Sequence, residues 1–485
     1  MTTDAFAAPA SPADEQSPEH TPTMSRRQRI ALIVLLTAGF TLAVDFSILN
    51  VALPTIGAEV GFALENLQWI ATAFALFSAG FTLLMGRVAD LAGRRRMFLI
   101  GMALLGAGSL AGGLATSPEL LLIARVAQGF ATAIVIPAAL ALLLGAFPEG
   151  RARARALGIN GSLMAAGFTT GAILGGLLTD LLSWRWAFLI NVPIALAVLI
   201  VAPVVLRESR ATTRTRLDVP GAITVTLGLL ALVFGLTSAA EESWTSPRTV
   251  VSLAAAAVLL ASFVLVERRA AFPLVPLDIL TRSSVSWGNA AGLLAFATET
   301  SLVFLLTIYL QEVLHYTPLA AGLSFAVLGV GTVIGGLLGP RIIARFSSKT
   351  AIVGGLVVQG LSTLPLVLLS DDPASIWLVL SATFVGGVAN LVVIVGFMVT
   401  ATSGLGANEQ GLATGLTTMS QQVGITLGTP IMSAVLAAVV LGSTVASENA
   451  VLAGVSAAIW VNGGLALAGA LAVALFLRQS THRLR

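Results

Sequence analysis

Three charged side chains stand deep inside otherwise apolar stretches of this 485-residue chain: Asp45, Arg125 and Glu299. A charge in hydrocarbon costs several kcal/mol, so each requires a partner or a purpose. Asp45 lies about 16 residues, or ~24 Å, into the first apolar stretch from the basic edge that precedes it. Arg125 lies about six residues, or ~9 Å, into the fourth stretch from its other side. For a ~30 Å hydrocarbon core these depths are similar. Two readings stand for the two residues: a structural ion pair, or a carboxyl that titrates while the arginine tunes it. Glu299 sits in Ala297-Thr298-Glu299-Thr300-Ser301, and no later apolar stretch buries a basic residue. Desolvation favours the neutral form of a carboxyl that has no partner. Such a group can carry a proton or attract a cationic substrate; the plainer alternative is a hydrogen-bonded acid that fixes helix contacts.

The elements that must hold these residues are membrane helices. Approximate apolar spans are 30–53, 67–86, 97–115, 120–145, 155–180, 185–206, 219–238, 249–266, 285–310, 318–341, 351–370, 374–402, 411–438 and 453–477. Each meets the ~20 residues that a helix needs to cross a bilayer. An even number places both termini on one side. Of the 26 basic residues, 23 fall on alternate segments, the set that includes the N-terminal Arg26, Arg27 and Arg29. Only Arg185 and Arg248 fall on the other set, and Arg125 lies within a span. Basic loops stay inside, so both termini are expected in the cytoplasm. The first 28 residues, rich in Pro, Ala, Ser and acidic side chains, read as a disordered tail. They lack the basic start, apolar stretch and cleavage site of a signal peptide.

Composition excludes several classes of function. Charged residues make up 10% of the chain and hydrophobic residues 56%, against about 25% charged in soluble domains. The pI of 10.1 suggests nucleic acid, but the net charge is only +3 and the arginines are dispersed over short loops, so no nucleic-acid partner is expected. No cysteine is present, which removes disulfides and thiolate chemistry. His20, His315 and His482 do not group with acidic residues, so no metal is expected. No nucleotide-binding glycine loop appears, so ATP-driven transport and an organic cofactor are not expected either.

Ordered motifs narrow the reading. Gly86-Arg-Val-Ala-Asp90-Leu-Ala-Gly93-Arg94-Arg95-Arg96 forms a tight basic loop after the second span. A decayed copy, Gly339-Pro-Arg341 through Arg345 to Lys349, follows the tenth span and lacks the acidic residue. Span 1 carries Asp45-Phe-Ser-Ile-Leu-Asn50-Val-Ala-Leu-Pro54, and Leu67-Gln68-Trp69 follows. Span 4 carries Arg125-Val-Ala-Gln128-Gly129, and span 5 carries Gly167, Gly171, Gly175 and Gly176. Trp184-Arg185-Trp186-Ala-Phe188-Leu-Ile-Asn191-Val-Pro193 then opens span 6. Over residues 27–478 this set resembles the 14-helix drug:proton antiporters of the major facilitator superfamily. Ala172 stands where that family's antiporter motif usually has proline, and Phe74 where tyrosine is common.

The resemblance implies an all-α integral membrane protein with two six-helix bundles related by pseudo-two-fold symmetry, residues 29–206 and 283–478. A linker, 207–282, would insert two extra helices, and 479–485 would be a cytoplasmic tail. The implied activity is proton-coupled export of amphipathic small molecules by alternating access from a bacterial inner membrane. Partners would be the substrate, protons and lipids, with the chain a monomer and not an enzyme. Asp45, Glu299 and Arg125 are the expected coupling residues. Phe46, Gln128, Asn390, Phe397, Gln421 and Gln422 are candidate cavity residues, each equally explained by packing. Gly86, Asp90, Gly93 and Arg94 would form a conformational loop, and the span 5 glycines would pack helices. Export of a lipid or a self-made natural product is the alternative. A channel or a membrane enzyme fits less well, since the ligand clusters of the latter are absent.

Overall fold

The structure is a computed structural model that describes residues 24–49, 51–62, 67–147, 151–209, 218–270, 273–275, 277–403, 407–441 and 448–478. Among them there is no strand. Six long helices come first: α1 (Arg26–Ile48), α2 (Gln68–Ala92), α3 (Arg94–Gly113), α4 (Pro118–Ala146), α5 (Arg151–Leu181) and α6 (Asn191–Val205). Two follow, α7 (Val219–Glu241) and α8 (Pro247–Glu267). The last six are α9 (Ser283–Ile308), α10 (Ala326–Arg345), α11 (Ser348–Thr363), α12 (Ile376–Thr402), α13 (Ala407–Leu441) and α14 (Glu448–Phe476). Among the described residues thirteen helices are long and apolar enough to cross a membrane. The fifth expected span corresponds to α5, which is 31 residues long.

Residues 26–28, read from sequence as tail, are helical. The Ser25 side chain accepts from the Gln28 backbone and Gln28 answers the Ser25 backbone, which starts α1 three residues early. The expected disorder of 1–23, most of the 207–218 linker and the 479–485 tail lie outside the described residues. Span 10 is divided, because a short helix Pro318–Ser324 precedes α10.

Within the first six helices, α4 packs on α2 and α3, α5 on α1, and α6 on α3 and α1. Within the last six, α12 packs on α10, α11 and α9, while α13 and α14 pack on α9 and on each other. The two groups meet where α2 lies on α13 and where α5 lies on α10 and the Pro318–Ser324 helix. α7 touches α2, α13 and α8. Only 11% of the central window of α8 is buried, which is why α8 is apolar on every face: lipid must cover what protein does not.

Lipid tails are as apolar as leucine, so helix association depends on close packing rather than on hydrophobic burial. The expected packing glycines of α5 do this against α1. A Cβ on Gly171 would stand 2.7 Å from the Val44 carbonyl oxygen, and one on Gly175 would collide with the Ile48 carbonyl oxygen. Backbone cannot retreat as a side chain can. Gly175→Leu is therefore expected to cost about 1–3 kcal/mol or more, the usual range of overpacking. Detergent-unfolding midpoints will show this against Gly354→Ala, where a Cβ meets nothing within 4 Å. Equal midpoints for the two variants would refute the tight α1–α5 contact.

Candidate substrate cavity and buried charge cluster

Between the two groups lies a cavity of about 640 Å³, lined by residues of α1, α2, α4, α5, α9, α10, α12 and α13. Its walls are mostly aliphatic and aromatic, interrupted by hydroxyls and amides such as Ser78, Thr132, Asn160 and Gln421. Glu299 is the one ionisable side chain among the described lining residues. The neighbouring hydroxyls on α9 do not serve it. Thr298 bonds back to the Leu294 carbonyl at 2.7 Å, Thr300 to Phe296 at 2.8 Å, and Ser301 to Ala297 at 2.6 Å. No described residue stands in hydrogen-bond or ion-pair range of its carboxyl group. Among its described lining residues the cavity thus holds one uncompensated acid and no base.

Asp45 and Arg125 do not reach the cavity; they meet each other. Arg125 Nη1 lies 3.3 Å from Asp45 Oδ2, with both side chains about 1% exposed or less. Gln128 Nε2 donates to Asp45 Oδ1 at 2.8 Å, and Asn191 Nδ2 donates to the same oxygen. Arg125 also gives Nε to the Ile70 carbonyl and Nη1 to Gln128 Oε1, each at 2.9 Å. Ser109 Oγ accepts from both amides, at 2.9 Å from Gln128 and 3.2 Å from Asn191. Five helices, α1, α2, α3, α4 and α6, are knotted in this way. These bonds make the buried ion pair tolerable, because a buried charge without them would cost more than the pairing gains; Asn191 Oδ1 is the one side-chain atom of the cluster left without a hydrogen bond among the described residues. Phe74 stands between the knot and the cavity: Arg125 lies 4.3 Å over its ring, and that ring faces Phe46 at 5.8 Å.

The candidate cavity residues divide. Phe46, Gln421 and Gln422 line the cavity, and Gln422 Nε2 also bonds Ser78 Oγ at 2.8 Å, joining α13 to α2. The other three do not. Gln128 is consumed by the charge knot. Asn390 turns to α9 and donates to the Ala295 carbonyl at 2.9 Å. Phe397 is fully buried against Gly292, filling the space that a Cβ there would occupy. A second, uncharged knot escaped the sequence reading. Gln359 of α11 donates to Thr298 Oγ1 at 3.0 Å, and Asn462 of α14 donates to the Thr298 carbonyl and Ser301 Oγ, both at 2.9 Å. Asn191 lay in the Trp184–Pro193 motif without an assigned role, the only signal for Gln359 and Asn462 was an amide in an apolar run, and Ser109 gave none.

The residues expected to form a conformational loop make a corner within the first six helices. Asp90 of α2 and Arg94 of α3, four residues apart across the corner, pair at 2.8 Å. Gly93 has φ +115°, which a side chain would strain, and this turns α2 into α3. The bend leaves room for Glu208, whose carboxylate accepts the first free amides of α3, from Arg95 at 3.0 Å and Arg96 at 3.1 Å. Gly86 rests on Pro137 of α4, with 3.4 Å left for a Cβ. Gly176 differs from the other α5 glycines, since it abuts the Pro318–Leu319 backbone of the second group.

Residues 35–429 match the profile described as Major Facilitator Superfamily. The chain is 37% identical over 417 residues to the cephamycin export protein CmcT of Amycolatopsis lactamdurans, covering 85% of this chain and 86% of that one. It is 36% identical over 409 residues to the puromycin resistance protein pur8 of Streptomyces alboniger, covering 83% and 81%. Its fold is similar to that of the human organic anion transporter MFSD10 (TETRAN), with a TM-score of 0.61 over 92% of this chain and 99% of that chain at 16% identity.

Proposed function

The chain belongs to the Major Facilitator Superfamily, and from that premise we propose that it exports amphipathic small molecules, drugs or antibiotics, in exchange for protons. The observation that carries this is a single uncompensated carboxyl, Glu299, on the wall of a mostly apolar cavity between two helical bundles. Export relatives and a cavity of drug-like size support the substrate class.

Alternating access requires one open side and one closed side. The side of the molecule that bears the termini is the open one. Exposed Pro340, Met398 and Val399, near the ends of α10 and α12 that face it, line the cavity. On the distal side Gln311 Nε2 donates to the Val51 carbonyl at 3.0 Å, and the Leu319 amide donates to Asp180 at 3.3 Å, each joining one bundle to the other. With the termini in the cytoplasm of a bacterial cell, a placement the arginine distribution supports, this conformation receives substrate from inside. A proton arriving from outside neutralises Glu299 and weakens its hold on the substrate there; its loss toward the cytoplasm restores the binding charge. Each charge crossing 100 mV contributes about 2.3 kcal/mol before any pH gradient is added. Asp45, already neutralised by Arg125, is the secondary candidate for the same proton.

Everted vesicles loaded against a chemically varied panel test the reading. Uptake of at least one amphipathic class should appear with an imposed proton gradient and collapse when a protonophore removes it. Flux that ignores the gradient would mark a channel. Silence toward every compound, with the protein folded and inserted, would refute export of this class.

A further inference from the structure

α9 carries apolar residues on every side. Its neighbours and lipid are equally apolar, so hydrophobic burial does not choose which side of the helix faces the cavity. Three amides from three other helices supply the choice. Asn390 of α12 donates to the Ala295 carbonyl at 2.9 Å, and Gln359 of α11 donates to Thr298 Oγ1 at 3.0 Å. Asn462 of α14 donates to the Thr298 carbonyl and to Ser301 Oγ, both at 2.9 Å. None of the three amide residues is more than 4% exposed. Ala295, Thr298 and Ser301 recur every three residues and share one face of α9. The cavity takes Phe296, Glu299 and Thr300 instead, a face centred about 150° away at 100° per residue.

Within the cavity face Glu299 stands nearest the amides, about 40° around the axis from Ala295. A turn of α9 by little more than that angle would carry its carboxyl off the cavity wall and into the packing between helices. α13 also meets α9 closely, since a Cβ on Gly424 or Gly428 would collide with the Leu293 or Ala297 carbonyl oxygen. That smooth contact sets how near the two axes come, whereas hydrogen bonds are directional and fix rotation. Asn289, on the same helix, takes no such part: it donates to the Val285 carbonyl one turn back, at 2.7 Å.

We propose that Gln359, Asn390 and Asn462 are positioning residues for Glu299: together they set the rotation of α9 that presents its carboxyl to the cavity. The use of that carboxyl in coupling rests on the exporter reading; the rotation does not. The helices packed around α9 bring no charge to the level of Thr298. Lys349 of α11, Glu409 of α13 and Glu448 of α14 lie within the first three residues of their helices, and α12 has no charged residue. Across the cavity, Asp45 and Arg125 lie behind Phe74. A change in pH dependence caused by the amides therefore reports on Glu299.

Because the chain has no cysteine, single E299C and A295C variants can report which face of α9 is wet. A charged methanethiosulfonate should label E299C rapidly and A295C only in the rare moments when α9 has turned. Each interhelical hydrogen bond lost should make those moments about threefold more frequent. Labelling of A295C should therefore rise about threefold with Q359M, which removes one bond, and about tenfold with N462L, which removes two. N289L is the control and should change nothing. General loosening of the bundle would speed labelling at both positions, whereas rotation speeds it at 295 and not at 299. Unlabelled E299C, an unchanged A295C rate in N462L and Q359M, or an equal rise at both positions overturns the proposal. Should N462L not insert, Q359M decides alone. With Glu299 in place, N462L should also shift the pH dependence of efflux, which N289L leaves as in the wild type. Rotation by labelling with an unshifted pH dependence would uphold the positioning and remove Glu299 from coupling, so the two readings fail separately.

Discussion

Glu299→Gln should abolish proton-driven export while leaving the protein folded. The side chain keeps its shape, and no hydrogen bond among the described residues is lost. Stability should therefore move by no more than about 0.5 kcal/mol, as for surface changes that break no contact. What changes is the ability to exchange one proton between the two sides of the membrane. Desolvation penalises a charged carboxylate, and here no cation offsets that penalty, so the neutral amide imitates one state and forbids the other. Efflux against a gradient should stop, and substrate binding should lose its dependence on pH. Counterflow, which needs no net proton movement, should persist. Wild-type efflux with wild-type pH dependence would remove Glu299 from the coupling step. A defect confined to cationic substrates would make Glu299 a reader of substrate charge instead.

The larger effect on folding is expected at Arg125. Arg125→Leu leaves Asp45 fully buried, facing two amide donors and no cation. Breaking a buried pair from one side costs about 3–5 kcal/mol, because the remaining charge has no water to return to. Yield and thermal stability in detergent should fall sharply. Adding Asp45→Asn should restore much of the loss, since an amide can still occupy the knot without charge. Non-additivity of this kind separates the ion pair from simple loss of packing, which a second substitution could not repair. Unchanged stability in Arg125→Leu would mean that the pair does little to hold α1 to α4. Asp45→Asn alone has a second readout. If it also flattens the pH dependence of efflux, the knot takes part in coupling; if only stability moves, it is a structural clamp.

Much of this protein is a one-dimensional problem. A bilayer has nearly constant thickness and admits few basic loops on its outer side, so span length, span number and the arginine alternation can be counted along the chain. Depth is also a linear count, which is how Asp45 and Arg125 could be placed level with each other before any contact was known. Gly167, Gly171 and Gly175 recur every four residues, which puts them on one face of α5, but that period does not say that α1 meets the face. Rotation about the helix axis is different. Helices bathed in lipid are apolar on every side, so a polar residue in one gives no sign of the way it points. Gln421 and Gln422 reach the cavity, whereas Gln128 and Asn390 turn into helix contacts, and their residue types are no guide to the difference. Partners far apart in sequence were equally hidden: Glu208 caps α3 from 113 positions away, and Asn191 completes the Asp45 cluster across 146. The placement of α7 against α2 and α13 and the contact of α5 with α10 belong to tertiary structure alone. They depend on how far apart two helix axes lie, and that distance is set by side chains of both helices at once.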